Sequence, residues 1–200
     1  METFEAIASR RAVKLFDPDH RLSKEEVDRL LSLTLLSPTA FNVQNWRFVV
    51  VRDPELRRRI RKAAWDQPQV TDASLFVVLC ADLQAWNKHP ERYWPDVPVR
   101  ERQAVLAALN GSYRDNAQLQ RDEAQRSCAL AAQTLMLAAQ AMGYDSCPMT
   151  GFDFEAVAEM INLPTDHVLV MAVAIGRGAG EIVPRAGRLP MAELVVIDRF

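Results

Sequence analysis

The sequence is poor in the residues that stabilise a fold by anything other than a hydrophobic core. Its 200 residues include only 3 cysteines, Cys80, Cys128 and Cys147. Odd in number, far apart and set in apolar sequence, they exclude a disulfide framework and read as small core residues in a reducing, cytoplasmic setting. With 7 Gly and 11 Pro against 49% apolar residues, collagen-like and low-complexity chains are excluded and a packed core is demanded. No charge of one sign dominates: 24 Lys and Arg face 26 Asp and Glu, for a net charge of −2. There is therefore no global field to gather nucleic acid or an anionic membrane, neither is an expected partner, and any anion site must be local. No apolar run is long enough to span a bilayer. The most apolar helical stretch, Cys128 to Met142, is interrupted only by Gln133, Thr134 and Gln140, yet falls short of the roughly 20 residues required. The first residues, METFEAIASRR, carry their basic groups after the apolar ones, unlike a secretory leader.

Familiar catalytic signatures are missing too. The 3 histidines, His20, His89 and His167, stand in no metal-ligand spacing, so no metal is expected. No serine occupies a G-x-S-x-G elbow. The run Gly176-Arg177-Gly178-Ala179-Gly180 misplaces the third glycine of a dinucleotide loop, and Pro184 forbids the helix such a loop needs, so it reads as a turn. Asn110-Gly111-Ser112 reads as a helix-breaking turn rather than a glycan acceptor.

What is present has the length of one domain, residues 1–200, since domains run roughly 100 to 200 residues. Phe4, Ile7 and Ala8 suggest a short first helix. Ser23 and Glu26 form a capping box ahead of the apolar stripe Val27, Leu30, Leu31 and Leu35, and Pro38 stops that helix by Ser37. Phe48 to Val51 reads as a buried strand, followed by a helix start at Asp53-Pro54-Glu55. Leu75 to Cys80 is a second strand, and Asp82 to Val99 is an irregular excursion. Helix resumes from Arg100 to Leu109 and is expected to break at Asn110-Gly111. A long helix then runs from about Asp115, with Gly143 as its C-terminal cap. Tyr144 to Met149 leads into a short helix from Asp153 to Ile161, and His167 to Ile175 reads as a strand covered on both faces. The tail ends in a β-rich stretch, Leu194 to Ile197, within an arm of about 185–200 that needs a partner, either its own sheet or a second subunit.

Three groups of residues carry possible chemistry. At helical spacing Arg10 and Lys14 would share a face, and with Arg11 they suit a phosphate monoester; a solvated basic surface is the bland alternative. The segment from Ser37 to Trp46 gathers hydroxyls and amides with two aromatics, suited to the edge of a flat heterocycle, or simply to capping a sheet. Cys147-Pro148-Met149-Thr150-Gly151-Phe152-Asp153 would let backbone N–H groups point at a ligand ahead of a helix start, or serve only as a turn.

Together these pieces form one pattern. The sequence resembles the flavin-dependent nitroreductase family through SRRAVKLFD (9–17), SPTAFNVQNWRFVVV (37–51), DAS (72–74), PMTGFD (148–153), IGR (175–177) and RLP (188–190), in family order over nearly the whole chain. The resemblance implies an α+β fold, a three-layer α/β/α sandwich around a mixed, mainly antiparallel sheet. It also implies a tight homodimer with FMN at the interface. Arg10 then looks like a phosphate ligand, Lys14 a ligand to the pyrimidine end, and Arg11 a neighbour of the ribityl chain. Arg185 joins the set and Arg188 closes on the phosphate. Ser37, Pro38, Thr39 and Asn42 resemble the segment given by the other subunit, while Pro148, Met149, Thr150 and Gly151 match the stretch beside the reactive flavin nitrogen. Thr150 stands where several family members have Glu, which keeps the backbone donor and changes the local charge. Gln67 or Gln69 is expected at the pyrimidine carbonyls. Trp65, Trp86, Tyr93 and Trp94 are candidates for the acceptor pocket or for packing.

The activity implied is transfer of reducing equivalents from NADPH or NADH through FMN to a small acceptor, a nitroaromatic, quinone or activated alkene, in a ping-pong cycle. Lys14 and the Thr150 backbone would give electrostatic support, with no dedicated catalytic side chain. Two alternatives stay open: a flavin-dependent oxidase or dehalogenase on the same scaffold, and a non-catalytic module binding a nucleotide or anion.

Overall fold

The computed structural model describes residues 1–181 and 183–200. The elements follow in the order α1 (Thr3–Ser9), α2 (Lys24–Thr34), β1 (Trp46–Val50), α3 (Pro54–Ala63), α4 (Gln69–Asp72), β2 (Leu75–Asp82), α5 (Val99–Tyr113), α6 (Ala117–Ala141), β3 (Asp145–Met149), α7 (Phe154–Met160), β4 (His167–Gly176) and α8 (Met191–Leu194). The strands form one sheet in the order β1-β2-β4-β3, and its three strand pairings are antiparallel. The parallel component is a single bridge, Ala12 to Ser146, made by the chain that leaves α1.

Alternation along β2 sorts the core into two layers, since successive side chains point to opposite faces. Leu75, Val77, Leu79 and Ala81 face α6 and α2, while Phe76, Val78 and Cys80 face α3, α4 and α7. A register shift between Leu79 and Cys80 marks a bulge in the pairing with β4. The long apolar helix α6 crosses all four strands. Covered on both sides, β2 is buried along its whole length. The result is a helix/sheet/helix sandwich. All three cysteines are buried and free. Among the described residues, no helix is long and apolar enough to cross a membrane.

Helix starts obey local chemistry. Ser23 and Glu26 make the reciprocal capping box at α2, Asp53 accepts from the Glu55 and Leu56 N–H groups at α3, and Gly143, at φ 85°, ends α6. Three expectations need correction. The helix does not break at Asn110-Gly111 but runs to Tyr113. A mid-helix glycine costs about 1 kcal/mol relative to alanine, and the buried Tyr113 side chain anchors the turn that follows. The break falls at Asp115, which adopts φ 58°. Leu194 to Ile197 forms no strand: Leu194 closes α8, and Val195 to Ile197 lie exposed with no strand edge beside them. The short first helix forms where Phe4, Ile7 and Ala8 suggest it, at Thr3–Ser9, although it buries only Ala6 and leaves Phe4 and Ile7 in solvent. Finally, Arg10 and Lys14 are not on a helix.

Candidate active site

α1 ends at Ser9, and the chain from Arg10 to Asp17 runs extended along the edge of β3. The Val13 N–H donates to the Ser146 carbonyl at 3.0 Å and the Asp17 N–H to the Arg177 carbonyl at 2.9 Å. In an extended chain residues two apart share a face, so Arg10 and Lys14 still point the same way, by the two-residue rather than the helical period. Both positive charges act on the Cys147 thiol, where they partly offset the upward shift that burial imposes.

The tail folds back onto this segment. The Arg185 Nη2 donates to the Ile7, Ala8 and Arg10 carbonyls at 3.4, 3.0 and 2.9 Å. Arg11 Nη1 donates to the Ala8, Ser9 and Arg10 carbonyls at 2.8, 2.8 and 3.0 Å. Two guanidiniums thus cap one helix C-terminus, where carbonyl dipoles favour positive charge. Burial lowers the pKa of Arg185, and repulsion from Arg11, Arg188 and Arg10 lowers it further. Among the described residues, no carboxylate pairs with any of these four arginines. The Nη1 of Arg10 and the Nε of Arg11 are buried with no hydrogen-bond partner among the described residues. A buried donor left unsatisfied costs about 1–3 kcal/mol, more when charged. An anion beside Arg10 would satisfy its free Nη1 donor. Beside them opens a cavity of about 580 Å³ lined by Arg11–Leu15, Asp145, Gly178–Glu181 and Val183.

The stretch Pro148 to Gly151 leaves β3 next to the α3–α4 connection. The Gln67 Nε2 donates to the Gly151 carbonyl at 2.6 Å, and the buried Gln69 donates to Gln67 Oε1 at 2.9 Å, holding the outer glutamine in place. A Cβ on Gly151 would meet Trp65 Cζ3 at 3.3 Å and Gln67 Nε2 at 3.4 Å, so glycine is what lets these three groups close up. The backbone N–H groups of Thr150 and Gly151 have no acceptor among the described residues. Asp153 caps α7 through the Ala156 N–H, and its own N–H reaches the Ala63 carbonyl at 2.9 Å.

Ser37, Pro38, Thr39 and Asn42 lie elsewhere. They precede β1, on the far edge of the sheet from the Arg10 segment. At about 4.8 Å per strand, three strand spacings put roughly 14 Å between the two edges. Ser37 Oγ is 2.7 Å from the Thr34 carbonyl and 2.9 Å from Thr134 Oγ1, Thr39 Oγ1 accepts from the Gln44 N–H at 3.0 Å, and Asn42 Nδ2 donates to the Tyr93 carbonyl at 3.0 Å. Phe41 and Asn42 hold φ of 51° and 50°, a conformation that asparagine tolerates better than phenylalanine. One chain therefore brings together Arg10, Arg11, Lys14, Gln67, Arg185 and the Pro148–Gly151 stretch, and leaves the Ser37–Asn42 loop apart.

Of the aromatics, Trp86 and Tyr93 are buried in a third cluster with Val43, Leu109 and Tyr113, and Trp94 packs against it; they are packing residues. Trp65 alone among them is exposed and adjoins the Gly151 turn. Two features had no sequence signal because their partners are far apart in the chain. The Gly178 N–H donates to Asp145 Oδ2 at 3.0 Å, in a turn where a Cβ would approach that oxygen to 2.5 Å. At the far end of β2, Lys88 Nζ reaches both oxygens of the buried Asp82 at 2.9 Å and Asp166 at 2.6 Å, beside Arg47 and His167. The ammonium occupies the centre of that carboxylate group.

Comparison with known proteins puts this arrangement in context. The sequence model of the Nitroreductase family matches residues 7–177. Protein DrgA of Synechocystis sp. is 47% identical over 204 residues, covering 100% of this chain and 97% of its own. A protein of Thermus thermophilus named NADH dehydrogenase is 33% identical, with 96% of this chain and 93% of its own covered. A solved structure of an Exiguobacterium sibiricum protein in complex with FMN superimposes with a TM-score of 0.90 at 27% identity, covering 98% of this chain and 97% of that one.

Proposed function

The chain belongs to the nitroreductase family, and on that premise we propose that it is an FMN-dependent oxidoreductase. It takes reducing equivalents from NADPH or NADH and delivers them to a nitroaromatic, quinone or activated-alkene acceptor in a ping-pong cycle. The observation that carries this reading is the meeting of Arg10, Arg11, Arg185 and Arg188 without a carboxylate, with two of their N–H groups buried and unpartnered. A phosphate monoester fits that donor set by charge and by hydrogen-bond count.

In this reading Arg10 and Arg188 hold the phosphate, and Arg11 and Arg185 lock the end of α1 that presents Arg10. Lys14 sits at the pyrimidine end, where its ammonium favours negative charge. Gln67 rather than Gln69 meets the ring edge, because Gln69 is buried beneath it. The free N–H groups of Thr150 and Gly151 face the reactive side. FMN held by these residues would supply the redox chemistry, relaying reducing equivalents between the nicotinamide and the acceptor. Trp65 walls the acceptor side.

The working unit is a homodimer of one-domain chains. Ser37, Pro38, Thr39 and Asn42 come to the site from the second copy, which fits their place on the far edge of the sheet. The apolar residues left in solvent support it: Phe4 is 87% exposed, Leu36 78% and Ile197 81%, and an apolar arm this bare seeks cover.

Purification tests the reading directly. The protein should be yellow, hold one FMN per chain, and lose its flavin absorbance when NADH or NADPH is added without oxygen. Colourless protein that refuses added FMN would refute it. Stable FMN that neither nucleotide reduces would transfer the reading to a flavin oxidase or dehalogenase.

A further inference from the structure

A second concentration of positive charge lies outside the flavin site. A cleft of about 570 Å³ is lined by Arg21, Arg52, Arg57, Arg58, Arg61 and Lys62, with Pro54, Thr71 and the single carboxylate Asp66. It shares no residue with the cavity beside Arg11–Leu15. The chain as a whole is slightly acidic, so this is a local basin rather than part of a general field.

The α3 sequence builds it. Arg57 and Arg61, like Arg58 and Lys62, are four apart and so stack on one helix face, where like charges cost about 0.2–0.5 kcal/mol per pair. Carboxylates neutralise only part of the charge. Arg58 pairs with Glu55, and Arg61 with Asp66 at 3.3 Å and Asp72 at 3.8 Å. Among the described residues, Arg21, Arg52, Arg57 and Lys62 have no carboxylate within salt-bridge distance. Arg57 is held rigidly: its Nε donates to the Val70 carbonyl at 2.8 Å and its Nη2 to the Ala73 carbonyl at 2.7 Å, leaving Nη1 without a partner among the described residues. Burial and the nearby Arg21 bring its pKa down to about 10, so it keeps its charge at neutral pH. Thr71 Oγ1 accepts from Arg61 Nη1 at 2.8 Å and fixes the second guanidinium. Preorganised cations around a concave site of ligand size are what recognition of a multiply charged phosphate requires.

We infer that this cleft is a second anion site that binds a small molecule carrying two or more phosphate charges. The ligand stands on Arg57 and Arg61, with Arg52 and Lys62 closing over it. Its source is either the phosphorylated adenosine end of NADPH or a separate phosphorylated metabolite, since both present the same chemistry.

Inorganic pyrophosphate is the probe, titrated calorimetrically into protein already saturated with FMN so that the Arg10 site is filled. Saturable binding that persists at about 0.15 M salt is expected, because Arg57 and Arg61, on which the ligand stands, are partly buried and such charges are screened less than exposed ones. The double variant Arg52→Gln/Lys62→Gln should weaken it by roughly tenfold or more, as two charge-assisted contacts are lost. Its FMN content and melting temperature should be unchanged. Three results would overturn the inference: no saturable binding to the wild type, binding abolished by that salt, or equal affinity in the variant. Steady-state kinetics then separate the sources, an arm that alone rests on the proposed reductase activity. A raised KM for NADPH with that for NADH unchanged identifies the reductant; both unchanged identifies a separate metabolite.

Discussion

Arg188 and Arg185 sit three residues apart in the tail, yet the structure gives them different work. The Nη2 of Arg185 is taken up by the carbonyls that end α1, whereas among the described residues Arg188 bonds only its own loop, at the Ala186 and Gly187 carbonyls. Arg188 is therefore the one free to turn onto a phosphate. Arg188→Ala should weaken FMN retention about tenfold or more, as expected for a charge-assisted bond. Arg185→Ala should chiefly loosen the end of α1, read as faster amide exchange at residues 6–11. Equal FMN loss in both variants with no change in exchange would contradict this division. The thiols give a second test at this scale. Burial pushes the Cys80 and Cys128 thiols up to about 12 and raises Cys147 as well. Since the thiolate is the reactive form, native protein at pH 8 should leave a disulfide reagent almost unreacted, while unfolded protein should titrate all 3 cysteines. A fast-reacting thiol in the native state would show that burial does not protect them. The knot at the end of β2 gives a pH test. Hydrogen bonds from Lys88 and then His167 hold Asp166 down to about 2, below its ordinary value of 3.8. A folded-state pKa below the unfolded one means stability that is present above about pH 4 and is lost as pH falls toward 2. Lys88→Met should therefore flatten the acid limb of a stability-against-pH curve in that window. A limb of unaltered slope would dissociate Asp166 from it.

At the scale of elements, what the sequence revealed is what local chemistry controls. The capping box at Ser23 and Glu26, the Asp53-Pro54 start of α3 and the glycine end of α6 are set by neighbours within four residues, and each appears where expected. The two central strands were legible because burial on both faces makes them continuously apolar. Errors arose where tertiary context decides. Asn110-Gly111 has the composition of a break, but Tyr113, packed under Trp86 and beside Phe41, carries the helix past it. Leu194 to Ile197 has strand composition without a strand edge to join. Arg10 and Lys14 share a side by the extended rather than the helical period, since extended chain and helix both return residues four apart to one side. Motif order alone placed Ser37–Asn42 with the arginines; no periodicity in the chain bears on a contact made across the width of a sheet.

For the whole molecule the decisive fact is that the two halves of the expected flavin site stand on opposite edges of one sheet, roughly 14 Å apart. Rearranging a single chain to join them would break β1 or β3 out of a core in which β2 and β4 are almost wholly buried. A second copy would join them at no such cost. The bare surfaces that would meet are the outer face of α1, the end of α2 at Leu35 and Leu36, and the arm with Leu189, Met191, Leu194 and Phe200. Removing residues 185–200 deletes both Arg188 and the apolar arm, so dimer and cofactor should fail together. In sedimentation the full chain should run as a dimer at micromolar concentration and the truncated chain as a folded monomer without bound FMN. Arg188→Ala, which spares the apolar residues, should stay dimeric while losing flavin. A truncated chain that remains a dimer and keeps FMN would show that α1 and α2 alone make the interface and that the phosphate is held without the tail.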